Sequence, residues 1–162
     1  MVQITIEYMI MIPMLILQIF LFPLTAGWIM TTWTDSRQTL ALKETAGQLG
    51  SSVHQVYSAL NHGSISAGQV TNSLEIPPFI EGYAYKGHAV LRSTSEVAAN
   101  SSKVLDITLT FLNGRIETTT SVTLGPNAKW IQNSEFMSNS SYASLIAQKM
   151  LNGTILMSFE GD

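Results

Sequence analysis

The chain has 162 residues, of which 46% are hydrophobic and only 12% charged, and its net charge at neutral pH is −3. This length predicts one folded domain beside an apolar segment, and the slightly acidic balance argues against a nucleic-acid partner. Cysteine is absent, so the sequence excludes a disulfide framework, a thiolate metal site and a cysteine nucleophile. Ser, Thr and Asn are abundant beyond residue 60, a composition typical of exposed extracellular proteins.

An uncharged, mostly apolar stretch follows Glu7, and the next charged residue is Asp35. As a helix, the about 26 residues from Tyr8 to Trp33 span roughly 39 Å, whereas about 20 apolar residues suffice to cross a bilayer core. A secretory signal peptide fits less well, because its apolar region has about 7–15 residues and follows a basic segment. The stretch is therefore predicted to span a membrane or to form the core of a polymer.

Glu7 is the one charged residue at the start of this segment. A carboxylate buried deeper in a membrane costs about 2.5–3.5 kcal/mol on insertion scales, and buried charges persist when they are paired. One interpretation is that Glu7 pairs with the α-amino group of a neighbouring copy and sets the axial register between subunits. The other is that Glu7 marks the water-facing end of an anchor.

Pro13, Pro23 and Gly27 lie inside the apolar segment. Proline removes a helical hydrogen bond and bends the helix, although helices in membranes tolerate it when neighbours satisfy the freed backbone. We therefore expect a helix with a bend or local melting between Pro23 and Gly27.

A second helical pattern follows Asp35, with apolar residues that recur at steps of four and three. They are Leu42, Ala46, Leu49, Val53, Val56 and Leu60. This narrow stripe of period 3.5 predicts a helix that packs along one side, and Asn61-His62-Gly63 predicts its end. The sequence thus predicts one long helix over residues 4–61.

The strongest strand pattern runs from Val104 to Leu124 and contains Asn113-Gly114 at its centre. Apolar and polar residues alternate on both sides, as in half-buried strands, and Asn-Gly predicts a two-residue type I′ hairpin turn. That register places Phe111 opposite Ile116 and Leu105 opposite Val122, with both pairs on one face.

Three weaker patterns complete the predicted head. A strand is expected over residues 82–93, with one face formed by Tyr83, Tyr85, Ala89 and Leu91. A final strand is expected over residues 155–159, a short helix over 141–151, and a bend at Pro77-Pro78.

The predicted fold class is α+β, a long N-terminal helix with an apolar first half, followed by a small antiparallel β-sheet head. We divide the chain into residues 1–34, the apolar helix that serves as membrane anchor or filament core, and residues 35–162, the rest of the helix with the head.

No pattern in the sequence indicates catalysis, a metal or a cofactor. The three histidines, His54, His62 and His88, lack metal-ligand spacing, and no nucleophile elbow, phosphate loop or dinucleotide fingerprint occurs. We expect a protein that is not an enzyme. Three Asn-x-Ser/Thr sequons, at Asn100, Asn139 and Asn152, are possible N-glycosylation sites in an exported chain.

The N-terminal motif Gln3-Ile4-Thr5-Ile6-Glu7-Tyr8 resembles the Gln-x-Ser-x-Glu-Tyr pattern of archaeal type IV pilins with class III signal peptides. The resemblance implies a basic leader that a prepilin peptidase removes before Gln3, and it implies an assembly role for Glu7. Thr5 replaces the usual Ser, and Met1 and Val2 precede the Gln without a basic leader. Cleavage before Met1 therefore stays an alternative, as does a leader that is missing from the chain.

Glu7 followed by Pro13 also resembles the TadE-type pseudopilins, minor subunits of related pilus systems. The resemblance covers the helix and assigns assembly roles to Gln3, Glu7, Pro13 and Pro23. It implies a pilin-like layout, self-association through the N-terminal helices, a membrane-inserted precursor, and contact with a pilus assembly machinery.

The leading hypothesis is a structural subunit of an extracellular filament that serves adhesion or surface contact. A motility filament of the archaellum type is a variant of it. The alternatives are a minor pseudopilin and a single-pass membrane-anchored β domain that acts as a binding or accessory module. The anchored module would tolerate Glu7→Gln.

Overall fold

The computed structural model of the protein describes residues 2–93 and 101–161, with side chains described from Tyr8 onward. These residues form one α-helix followed by eight β-strands in two small sheets, so the predicted α+β fold is confirmed. The chain divides after Arg37 into two compact units.

The helix α1 covers Val2–Asn61, close to the predicted residues 4–61. Pro13 and Pro23 lie inside it without interrupting it. Of the two alternatives predicted between Pro23 and Gly27, local melting is therefore wrong, and a bend stays a prediction. Each proline removes one backbone hydrogen bond, but the bonds of the turns before and after it remain in place.

The second half of α1 packs on the head along the predicted stripe. All six stripe residues are at least nine-tenths buried, which confirms the prediction; they are Leu42, Ala46, Leu49, Val53, Val56 and Leu60. Gly50 allows a close approach, because a side-chain carbon at this position would lie only 2.9 Å from the Val122 side chain. Burial of these side chains is the main force that holds the helix to the sheet.

The strands are short and follow the helix in chain order. They are β1 (Gly68–Ser73), β2 (Tyr85–Ser93), β3 (Lys103–Phe111), β4 (Glu117–Leu124), β5 (Ala128–Trp130), β6 (Glu135–Met137), β7 (Ser144–Lys149) and β8 (Ile155–Glu160). One sheet has the order β1-β7-β8-β5 and the other β4-β3-β2-β6. The β5–β8 pair is parallel, and the remaining pairs among these strands are antiparallel.

The predicted hairpin of β3 and β4 has the predicted register but a different turn. Leu105 pairs with Val122, and the Phe111 N–H donates to the Ile116 carbonyl at 3.1 Å. Only Gly114 of the two turn residues has a positive φ, whereas a type I′ turn needs positive φ at both. The Gly114 N–H instead donates to the Phe111 carbonyl, so Gly114 alone takes the left-handed position.

The predicted helix over residues 141–151 is wrong, because this segment contains strand β7. Leu145 and Ala147 alternate with more exposed residues, and β7 is held between β1 and β8. Lys149 interrupts the apolar alternation, since this charged residue occupies a buried position of the strand. Its ammonium donates to the His62 carbonyl just beyond the end of α1, at 3.2 Å.

The strand predicted over residues 82–93 begins only at Tyr85. Tyr85 and Ala89 are buried on one face, as predicted, whereas Tyr83 lies before the strand and is 45% exposed. The final strand, predicted over residues 155–159, is confirmed by β8.

Tyr85 links the core of the head to the bend that contains Pro77. Its ring packs edge-on against Phe111, and its hydroxyl donates to the Pro77 carbonyl at 2.7 Å. Burial raises the pKa of this phenol far above its ordinary value. The neutral form is therefore the one that the folded head accommodates.

A polar cluster fixes the C-terminal end of α1 to the head. The Tyr57 hydroxyl donates to Asn127 Oδ1 at 2.5 Å and accepts the Gly125 N–H at 3.0 Å. Asn127 Nδ2 donates in turn to Asn61 Oδ1 and to the Gly153 carbonyl. The last turn of the helix is thus bonded to two loops of the head.

Candidate functional site

The first half of α1 exposes apolar side chains on every side. From Tyr8 to Trp33 every residue is exposed, and the exposed fraction of the large hydrophobic side chains ranges from 49% at Leu21 to 75% at Phe22. A soluble helix normally buries one apolar stripe and exposes a polar face. This segment has no polar face, so no orientation against a single partner surface would remove it fully from water.

This helix contains a window that is long and apolar enough to cross a membrane, and none of the window is buried within the chain. Monomeric soluble proteins rarely expose a continuous apolar surface of this extent, and such surfaces mark contacts with lipid or protein. We take this exposed apolar half, residues 8–33, as the candidate functional site.

The threonine and serine hydroxyls from Thr25 to Ser36 are satisfied by their own helix. Each donates to a carbonyl three or four residues earlier, at 2.9–3.0 Å; the donors are Thr25, Thr31, Thr32, Thr34 and Ser36. Burial of an unpaired hydroxyl is costly, and this internal bonding removes that cost. The hydroxyls therefore do not prevent burial of the segment in lipid or protein.

Arg37 is the first cationic residue after the apolar half. Its guanidinium lies 5.1 Å from the ring centre of Trp33, a cation–π arrangement. The pair forms the polar end of the apolar half, because aromatic and cationic side chains are suited to the boundary between apolar surroundings and water.

The residues to which the resemblance assigns assembly roles all lie in α1. Gln3 and Glu7 are in its first turns, and Pro13 and Pro23 lie further along with exposed side chains. The charge pairing of Glu7 stays a prediction.

The three sequons differ in their surroundings. Asn100 lies outside the described residues. Asn139 is exposed in the turn between β6 and β7, and Asn152 is exposed in the turn between β7 and β8. The Asn152 side-chain oxygen accepts the Thr154 N–H at 3.0 Å, which forms an Asx turn.

The histidines lie on different elements. His54 is on α1, His62 follows its end with Nδ1 2.8 Å from Ser64 Oγ, and His88 is on β2. Among the described side chains, from residue 8 to 93 and from 101 to 161, no three His, Asp or Glu lie close enough to hold a metal ion.

The sequence patterns assign no role to Gln18, which lies in the apolar half. Gln18 is the single amide between Tyr8 and Trp33, its side chain is exposed, and it makes no hydrogen bond to any described residue. Its position as one polar side chain in a long apolar run was the signal that could have identified it.

Comparison with known proteins adds no relative. No protein-family model, curated protein or solved structure matches this chain.

Proposed function

We propose that the protein is a structural subunit of an extracellular filament of the type IV pilus kind, which assembles through its apolar N-terminal helix and serves adhesion or surface contact. The observation that carries this proposal is the exposed apolar surface on all sides of α1 from Tyr8 to Trp33. A bundle of such helices removes every side from water, which one flat partner cannot do.

The proposed route begins in the membrane. The apolar half has the length to span a bilayer before assembly, and its hydroxyls already bond to their own helix. A prepilin peptidase and a pilus assembly machinery would then act on the segment that begins near Gln3. The resemblance of the Gln3 to Tyr8 motif to archaeal pilins supports this step.

A second candidate is a single-pass membrane-anchored module, or a minor pseudopilin, that stays in the membrane. The membrane-length window of α1 favours it, since one anchor also keeps the apolar half out of water. An archaellum-type motility subunit is a variant of the filament proposal, with the same helical core.

The decisive experiment is electron microscopy of material sheared from cells that express the protein, with N-terminal sequencing of the same fraction. We expect thin filaments made mainly of this chain, and the first sequenced residue to be Gln3 or Met1. A protein found in membranes and absent from filaments would contradict the proposal and favour the anchored module.

Glu7→Gln tests the role of the carboxylate in assembly. We expect the filament yield to fall about tenfold or more while the subunit still reaches the membrane, because a buried charge loses its partner. Glu44→Gln is the matched control, since Glu44 is exposed on the second half of the same helix. Normal filament yield in Glu7→Gln would contradict charge pairing but not the filament itself.

A further inference from the structure

Gln18 is the one side-chain amide in the apolar half, and its hydrogen-bonding capacity is unmet. The hydroxyls further along bond to their own helix, whereas the Gln18 amide bonds to no described residue. Its side chain offers two donors and an acceptor. In lipid or between packed helices there is no bulk water to satisfy them, so Gln18 requires a polar partner from outside its own chain.

A backbone acceptor lies one residue further along. Pro23 is inside α1 and has no N–H, so the Ile19 carbonyl four residues earlier lacks its usual donor. Among the described side chains none donates to this carbonyl; the Thr25 hydroxyl donates to the carbonyls of Leu21 and Phe22 instead, at 3.0 Å. The helix therefore carries an amide donor and a freed carbonyl in neighbouring positions.

Both groups border one open groove on the helix surface. Leu15, Gln18, Phe22 and Thr25 line it together with Pro23, and the first four are spaced so that they share one helix face. Because the Thr25 hydroxyl is already bonded, Gln18 is the only side chain in this groove with free donors. The groove is thus apolar apart from one amide and one backbone acceptor.

We propose that the Gln18 amide of one copy donates to the freed Ile19 carbonyl of a second copy and fixes the axial register of two parallel helices. This inference rests on the proposed function. Each copy carries both groups, so the same contact repeats along a head-to-tail polymer. Acyl chains offer no hydrogen-bond acceptor, so lipid around the membrane-inserted precursor leaves the amide unbonded, whereas a second copy satisfies it. Apolar contact alone is non-directional, whereas a single buried amide is known to set register between helices.

A double-mutant cycle tests this contact in assembled filaments. Pro23→Ala restores the N–H that satisfies Ile19, so Gln18 should lose its target in that background. Pro13→Ala is the matched control, since Pro13 frees the Met9 carbonyl instead. The measurement is the ratio of filament to dispersed subunit at a fixed detergent concentration, with the axial repeat read from electron micrographs.

We expect Gln18→Leu to lower this ratio about threefold to tenfold in the wild-type and Pro13→Ala backgrounds, as for hydrogen bonds between helices in membranes, and to blur the axial repeat. In the Pro23→Ala background the change should stay below about twofold. Gln18→Asn, which keeps a shorter amide, should retain part of the wild-type ratio.

An equal loss in all three backgrounds, or no loss in any, would overturn the register contact while leaving the filament in place. If Gln18→Leu fails to assemble, recovery in the Pro23→Ala background supports the contact and failure in both overturns it. Absence of wild-type filaments would overturn the proposed function and this contact together.

Discussion

The two halves of α1 have the same secondary structure and opposite relations to the rest of the chain. From Leu42 to Leu60 one apolar stripe is buried against the head and the other faces are polar. From Tyr8 to Trp33 the apolar side chains lie on all sides, and none is buried. The second half is stabilised by tertiary packing within the chain, whereas the first half has no such packing.

A side chain of this helix that is exposed in the isolated chain can face either water or an apolar partner. Leu40 is 68% exposed beside polar neighbours in the second half, and Ile16 is 50% exposed in the first half. The surroundings of Leu40 are water, while those of Ile16 are lipid or other helices under the proposed function. Substitutions at matched positions can separate these two kinds of exposure.

The largest effect on the free energy of unfolding is expected for Leu49→Ala in the buried stripe. Leu49 is 1% exposed, and truncation of a buried leucine costs about 2–5 kcal/mol through lost burial and a residual cavity. Leu40→Ala, on an exposed position of the same helix, should cost less than about 0.5 kcal/mol. Denaturant unfolding of the detergent-solubilised protein, followed by tryptophan fluorescence, measures both.

Equal destabilisation by the two alanine variants would contradict the packing of the stripe on the head. Loss of stability in Leu49→Ala alone would confirm that the second half of α1 belongs to the folding unit of the head.

An energetic effect of similar size, with a clearer phenotype, is expected for Ile16→Lys. A lysine near the centre of a membrane segment costs about 2.5–3.5 kcal/mol on insertion scales, so we expect loss of most membrane-inserted and filamentous protein. Leu40→Lys should leave both fractions near the wild-type level, because its position faces water. Membrane fractionation and quantitative imaging of sheared filaments measure the two outcomes.

If Ile16→Lys leaves the membrane and filament fractions near the wild-type level, as Leu40→Lys should, the first half of the helix faces water as the second does. That result would remove the distinction between the two halves, and with it the main support for the filament.

The smallest effect concerns pH and is confined to the head. Burial raises the pKa of Tyr85, so the unfolded chain ionises at this position near pH 10 while the folded head does not. Stability from Tyr85 is fully present below about pH 10 and is lost as pH rises above that value. Thermal unfolding between about pH 8 and 11 should show a steeper decline in the wild type than in Tyr85→Phe.

Tyr142→Phe is the matched control for this titration, because Tyr142 is 80% exposed. It should keep the wild-type slope. An unchanged slope in Tyr85→Phe would show that its burial does not govern the alkaline limit of the head.

The parts of the fold that were predictable from sequence share one property, a regular apolar period. The stripe from Leu42 to Leu60 and the pairing of Leu105 with Val122 follow from periods of 3.5 and 2. Strand β7 was predicted as a helix because the charged Lys149 interrupts its apolar alternation, and the bond from Lys149 to the His62 carbonyl depends on the tertiary fold. Strand β1 has almost no apolar residues and gave no strand pattern.

The candidate site was predictable in extent but not in detail. The absence of charge between Glu7 and Asp35 defines the apolar half in the sequence, but hydroxyl bonding to the same helix depends on backbone geometry. The amide of Gln18 and the carbonyl freed by Pro23 become a pair only once Pro23 is known to lie inside an uninterrupted helix.

The hydroxyl bonds within the apolar half have a consequence for how a subunit leaves the membrane. Because Thr25, Thr31 and Thr32 keep their partners inside the helix, exchange of lipid for neighbouring subunits leaves those hydrogen bonds intact. Under the proposed function, the helix therefore has the same internal hydrogen bonds in the bilayer as in the filament, and transfer of the subunit from one to the other requires no rearrangement of the helix. Gln18 is the exception, because under the proposed contact its amide gains a hydrogen-bond partner when the subunit moves from lipid into the filament. This gain favours assembly over return to the membrane.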